Sequence, residues 1–174
     1  MANHRQFDIV IVGGGAVGSA VASLLGQITK TVKGTSQQLK IALIESHMPS
    51  QFDASQVDPR VAALTEKTRL LFEQIGIWHR VVDKRACAYR AMNVWDAEGT
   101  GRIAFDCQQV QQQNLGHIVE NSALVSTLIE HVEQQSNIEL FCPANIVDYQ
   151  LRPDAIGLTL DNHMELSAQL VIAA

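Results

Sequence analysis

Three glycines and one acid carry the most specific chemistry in the sequence. Gly13, Gly15 and Gly18 form a Gly-x-Gly-x-x-Gly turn directly after the apolar, β-branched run FDIVIV at 7–12. Between a buried strand and a helix, each glycine has its own task. The first permits a tight turn, the second lets backbone approach a pyrophosphate, and the third lets helix and strand pack closely. A helix beginning here offers unpaired N–H groups and the positive end of its dipole to phosphate. Glu45 ends a second apolar run, KIALIE at 40–45. It lies somewhat farther along than the roughly 20 residues usual for such an acid. The polar stretch 29–38, read as a surface loop, accounts for the excess. A carboxylate there accepts hydrogen bonds from ribose hydroxyls and repels a 2′-phosphate, which argues against NADP at this site. The alternative is a glycine-rich turn with an exposed glutamate after a strand.

These residues need a βαβ unit to hold them, and the hydrophobic pattern supplies one. The pattern predicts strands at 7–12 and 40–45 and a helix over 16–28. It predicts a loop over 46–59 and a second helix over 65–76, with Thr65 as N-cap and Gly76 past the C-terminus. Then the character changes. Strands are expected at 88–96 and 102–106 around a turn at 97–101, followed by a Gln-rich loop at 108–113. A helix over 121–135 and strands at 138–142, 145–151, 156–160 and 169–173 close the chain, with no internal repeat. A nicotinamide-binding domain would continue with further βαβ units. The interruption by hairpin strands suits a flavoprotein with a β-rich domain threaded through its dinucleotide domain.

The chain has 174 residues, 47% hydrophobic and 18% charged, with a net charge of −5. That balance excludes a disordered chain and a disulfide scaffold, and argues against a nucleic-acid binder. No apolar run reaches the roughly 18 residues of a membrane span, and no signal-peptide pattern is present. A cytoplasmic protein is expected. Cys87, Cys107 and Cys142 lack metal or redox spacing and read as reduced, structural thiols. No metal site and no Ser-His-Asp arrangement is expected, and no catalytic residue is singled out.

Several further segments match a known family in order along the chain. They are IVGGGAVGSAVA (11–22), ALIE (42–45), DPRVAAL (58–64), IGIW (75–78), MNVWD (92–96) and GHIVEN (116–121). In these the chain resembles the N-terminal part of the flavin-dependent polyprenylphenol hydroxylases of ubiquinone biosynthesis, which are similar to para-hydroxybenzoate hydroxylase. The resemblance implies an α/β, Rossmann-like FAD-binding domain of the glutathione-reductase type, with part of an inserted β-rich substrate domain. It implies a βαβ segment at 1–80, substrate-domain strands at 81–115 and a return to the FAD domain at 116–174. Gly13, Gly14, Gly15, Ala16, Val17 and Gly18, with Glu45 and Ser46, would hold the ADP half of FAD. Arg60 would sit near the flavin or its pyrophosphate, where a guanidinium can fork onto phosphate oxygens. Asn121 would start a helix under the flavin. Without the family, Arg60 reads as a surface partner of Asp58 and Asn121 as a plain N-cap.

The implied activity is hydroxylation of a polyprenylated phenol, with NAD(P)H and O2 as co-substrates. In the family, the strand matching LVIAA runs into an Asp-Gly motif, so the chain is expected to be an N-terminal fragment, inactive alone. The expected partners are the polyprenylated phenol, other ubiquinone-biosynthesis proteins, a second copy of the chain and, peripherally, the inner membrane. His79, Arg80, Lys84, Arg85 and Arg90 form a basic cluster that would suit an anionic membrane or simply a solvated face. Trp78 and Trp95 read as core anchors, and His117 as a structural histidine rather than a catalytic one. Two other readings remain: an NAD-binding dehydrogenase domain, and a non-catalytic module.

Overall fold

The computed structural model describes residues 4–174. The chain begins with β1 (His4–Val12), α1 (Ala16–Leu25), the strands β2 (Thr29–Val32) and β3 (Thr35–Gln38), and β4 (Ile41–Ile44). Next come β5 (Val61–Thr65), α2 (Glu66–Gln74), α3 (Trp78–Arg85), β6 (Ala86–Tyr89), β7 (Ala91–Trp95) and β8 (Arg102–Asp106). It ends with β9 (Gly116–Glu120), α4 (Asn121–Glu133), β10 (Ile138–Phe141), β11 (Ile146–Leu151), β12 (Ile156–Leu160) and β13 (Glu165–Ala173). Residues 1–51 and 125–174 form one compact unit, and residues 52–124 a second.

The first unit is built on a six-stranded sheet, ordered β10-β4-β1-β13-β12-β11. The first four strands are parallel, and β12 and β11 add an antiparallel meander. All four residues of β4 are buried, so it reads as a continuous apolar run rather than an alternating one. Side chains still alternate between faces. Ile41 and Leu43 join Ile9, Ile11, Ala22 of α1, and Val125, Ile129 and Val132 of α4 in one core. Ala42 and Ile44 join Val10, Phe141, Leu158 and Leu160 in the other. Burying each such aliphatic side chain is worth about 1.5–3 kcal/mol. A parallel sheet closed by an antiparallel meander matches the expected FAD-domain class.

The stretch 29–38 is not a loop. It is a hairpin, β2 paired with β3 from Thr29↔Gln38 to Val32↔Thr35. Its two-residue turn places Lys33 at φ 51° and Gly34 at φ 81°. Positive φ at both central residues is the turn geometry that matches strand twist, and glycine supplies the second at no steric cost. The hairpin keeps the added chain length outside the parallel sheet.

In the second unit, β5, β9 and β6 form an antiparallel sheet, and β7 pairs with β8 as a separate hairpin. The expected strand at 88–96 is two strands in two sheets, parted at Arg90. The expected segment 81–115 lies within this unit. Thr65 does cap α2, accepting from the Thr68 N–H at 3.3 Å. Helix α3, strands β5 and β9, and a short 3-10 turn at Cys107–Val110 were not foreseen. Trp95 is 69% exposed and anchors no core, whereas Trp78 is half-buried with its ring edge-on to His117 at 4.8 Å. The thiols are free, with Cys107 buried, Cys142 half-buried and Cys87 exposed. No helix among the described residues is long and apolar enough to cross a membrane.

Candidate functional site

The glycine turn lies between β1 and α1 in the first unit, with the end of β13 against it. Ala174 donates its N–H to the Val12 carbonyl at 2.9 Å, and Gly13 donates to the Ile44 carbonyl at 2.8 Å. Gly13 has φ 105°, which side chains rarely adopt. The neighbouring glycines have different reasons. A Cβ on Gly14 would come within 2.7 Å of the Glu45 Cβ, and one on Gly18 would collide with the Gly13 carbonyl oxygen. At Gly15 a Cβ would meet nothing within 4 Å, and its φ is −67°. Neither packing nor backbone conformation within the protein requires glycine there. What the missing Cβ leaves is open space directly at the start of α1.

No side chain caps α1, and its first turn carries no acidic residue. Ala16 and Val17 are its first two residues, and Val17 is largely exposed. The N–H groups of that turn have no partner four residues back. Ser19 is fully buried and braces the turn, its hydroxyl donating to the Gly14 carbonyl at 2.8 Å. Sequence reasoning passed over Ser19, although a hydroxyl one residue after Gly18 is the signal for such a brace.

Glu45 faces the turn. Its Oε2 accepts from the Gly14 N–H at 2.6 Å, and its Oε1 from the His47 N–H at 2.9 Å and the Ser46 hydroxyl at 3.2 Å. Burial alone would raise its pKa, but the His47 and Gly14 N–H groups, with Ser46, outweigh burial and lower it. The carboxylate is therefore ionised and fixed in orientation. Oε2, which accepts only the Gly14 N–H, keeps acceptor capacity for a ribose hydroxyl. Open space at Gly15, an uncapped helix start and a fixed carboxylate fit the ADP half of a dinucleotide.

Arg60 and Asn121 lie in the second unit. The Arg60 guanidinium is 68% exposed, and its Nε is 3.6 Å from Asp58 Oδ1. Asn121 is the first residue of α4 and not a cap, its N–H donating to the Arg60 carbonyl at 2.9 Å. Arg85 leaves the basic cluster. It donates to Glu120 at 2.7 Å and to the Ala54 and Gln56 carbonyls, each at 2.8 Å.

His117 lines a polar cleft of about 600 Å³ with Trp78, Glu66, Arg69 and Asn114. Its Nδ1 is buried without a hydrogen-bond partner. Burial lowers its pKa, with Glu66 acting in the opposite direction, so the ring is held neutral. No cluster of metal-ligating side chains is present among the described residues.

No family model matches the chain. It is 32% identical over 186 residues to the mitochondrial ubiquinone biosynthesis monooxygenase COQ6 of Dictyostelium discoideum, covering 97% of this chain and 37% of that protein. It is 31% identical over 172 residues to the 3-demethoxyubiquinol 3-hydroxylase of Escherichia coli, covering 98% of this chain and 41% of that one. The chain thus spans about two-fifths of the length of these relatives. Among solved structures, p-nitrophenol 4-monooxygenase PnpA from Pseudomonas putida superimposes with a TM-score of 0.72 at 18% identity. That match covers 98% of this chain and 41% of that structure and speaks to the fold.

Proposed function

Because the chain belongs by sequence with the FAD-dependent monooxygenases of ubiquinone biosynthesis, we propose that it is the part that holds FAD for ring hydroxylation of a polyprenylated phenol. The observation that carries this reading is the open space at Gly15 beside an uncapped helix start, facing the fixed Glu45 carboxylate. The N–H groups of Ala16, Val17 and Gly18 would take the pyrophosphate. Glu45, steadied by Ser46, would accept from the adenosine ribose hydroxyls. Arg60 and Asn121 would serve the flavin end, the first through its exposed guanidinium and the second at the start of α4. Bound FAD would supply the redox chemistry that links NAD(P)H oxidation to oxygen activation. The protein's share is to bind, to orient and to keep water out.

The direct test is to incubate the purified protein with FAD, remove the excess and record its visible spectrum. A retained flavin band supports the reading. A protein that retains no flavin but binds NADH belongs instead with dinucleotide-binding dehydrogenase domains.

A further inference from the structure

We infer that Asp58 is a positioning residue that sets Arg60 and Asn121 for the flavin half of the cofactor, an inference that rests on the FAD reading above. Asp58 lies in the loop before β5. Its Oδ1 accepts the Arg60 N–H at 2.9 Å and its Oδ2 the Ser122 N–H at 3.0 Å. Ser122 is the second residue of α4, where the N–H has no partner inside the helix. Asp58 therefore caps α4 from 64 positions away in sequence. A negative charge is also favoured at that end of a helix. The Asn121 N–H reaches the Arg60 carbonyl directly. Residue 60 is thus tied to the start of α4 twice, once directly and once through the Asp58 carboxylate.

A second carboxylate anchors the first. Glu120 is buried, and its Oε2 accepts the Asp58 N–H at 3.2 Å while its Oε1 takes Arg85 at 2.7 Å. Arg85 in turn holds the Ala54 and Gln56 carbonyls of the same loop. Backbone and side chain of Asp58 are both fixed. In a simple Asp–Arg surface pair the carboxylate would be engaged with the guanidinium. Here it is engaged with two backbone N–H groups, and the Arg60 guanidinium stays exposed and loosely held at 3.6 Å, available to an anion. The geometry also selects Asp over Asn. Each oxygen accepts a backbone N–H, and the Ser122 hydroxyl donates to the carboxylate as well, whereas an amide offers one oxygen and turns an NH2 group toward a donor.

The test compares FAD and ADP binding by the 174-residue wild type, Asp58→Asn and Asp58→Ala, with melting curves for each. ADP reports the glycine turn and Glu45 alone. FAD dissociation constants should rise about tenfold in Asp58→Asn, the scale of one hydrogen bond to a charged group, and further in Asp58→Ala. ADP binding should be unchanged in both. FAD affinity equal to wild type in both variants overturns the inference. Equal loss of FAD and ADP also overturns it, since Asp58 would then serve stability alone. A wild type that binds neither ligand overturns the FAD reading itself, and the inference with it. In the wild type, the Arg60 and Ser122 amide resonances should move together as one carboxyl titrates below the ordinary Asp range. The Arg60 N–H bond leads the causes that lower that pKa. Amides that do not share a titration would deny the clasp.

Discussion

Gly14, Gly15 and Gly18 stand within one turn, yet Gly14 answers to Glu45, Gly18 to Gly13 and Gly15 to no protein neighbour, and substitution should separate them. Gly18→Ala drives a methyl into the Gly13 carbonyl and should cost about 1–3 kcal/mol, the usual range for overpacking. Melting curves would measure it. Glu45 makes a pH prediction. Its folded pKa lies below its unfolded value, so its stabilisation is complete above the ordinary carboxylate range. It is lost as pH falls through the folded pKa. The difference in melting temperature between wild type and Glu45→Gln should therefore shrink toward acid pH. His117 is a base with a lowered folded pKa, so the unfolded chain binds more protons just below neutrality. Its neutral-form stabilisation is present above the unfolded pKa and is lost as pH falls toward the folded one. His117→Gln should flatten that part of the profile. Sequence spacing was enough to find the glycines and Glu45. It could not find Ser19 as the brace, nor show that Asp58 grips backbone rather than its arginine, because both depend on where distant N–H and C=O groups end up.

Elements with a strong hydrophobic period were legible, and those held by partners far along the chain were not. The runs at 7–12 and 40–45 are buried on both faces and could be read directly as β1 and β4. Leu43→Ala, at a fully buried position of β4, should cost about 2–5 kcal/mol in a denaturant melt. Hairpin β2–β3 was missed because all its strand residues are polar but Val32, and its turn is Lys33-Gly34 rather than Asn-Gly. Strands β5 and β9 are short and pair with each other across more than 50 residues, which local periodicity does not register. Helix α3 has one fully buried side chain, Val81, so its apolar stripe is too thin to read. The separate hairpin β7–β8 carries Met92, Val94, Ile103 and Phe105 on one face, paired Met92↔Phe105 and Val94↔Ile103, and all four are exposed. Replacing them together with threonine should leave the melting temperature almost unchanged, each exposed substitution costing at most about 0.5 kcal/mol. A large destabilisation would show that the face is covered in solution.

At the scale of the molecule, composition excluded classes and the order of motifs pointed to a family. The sheet of the first unit joins four parallel strands to an antiparallel meander, in keeping with the α/β fold class that the resemblance implied. The account turns on the claim that Gly15 is glycine for a ligand and not for the fold. The measurement that tests this most directly is an FAD titration of wild type and Gly15→Val, with thermal melts of both. A Cβ there meets no protein atom within 4 Å, and the backbone has an ordinary φ. The account predicts a melting temperature without ligand lowered by no more than the roughly 1 kcal/mol of a weaker N-cap residue, and FAD binding by the wild type that is lost in the variant. FAD bound equally by both proteins would contradict it.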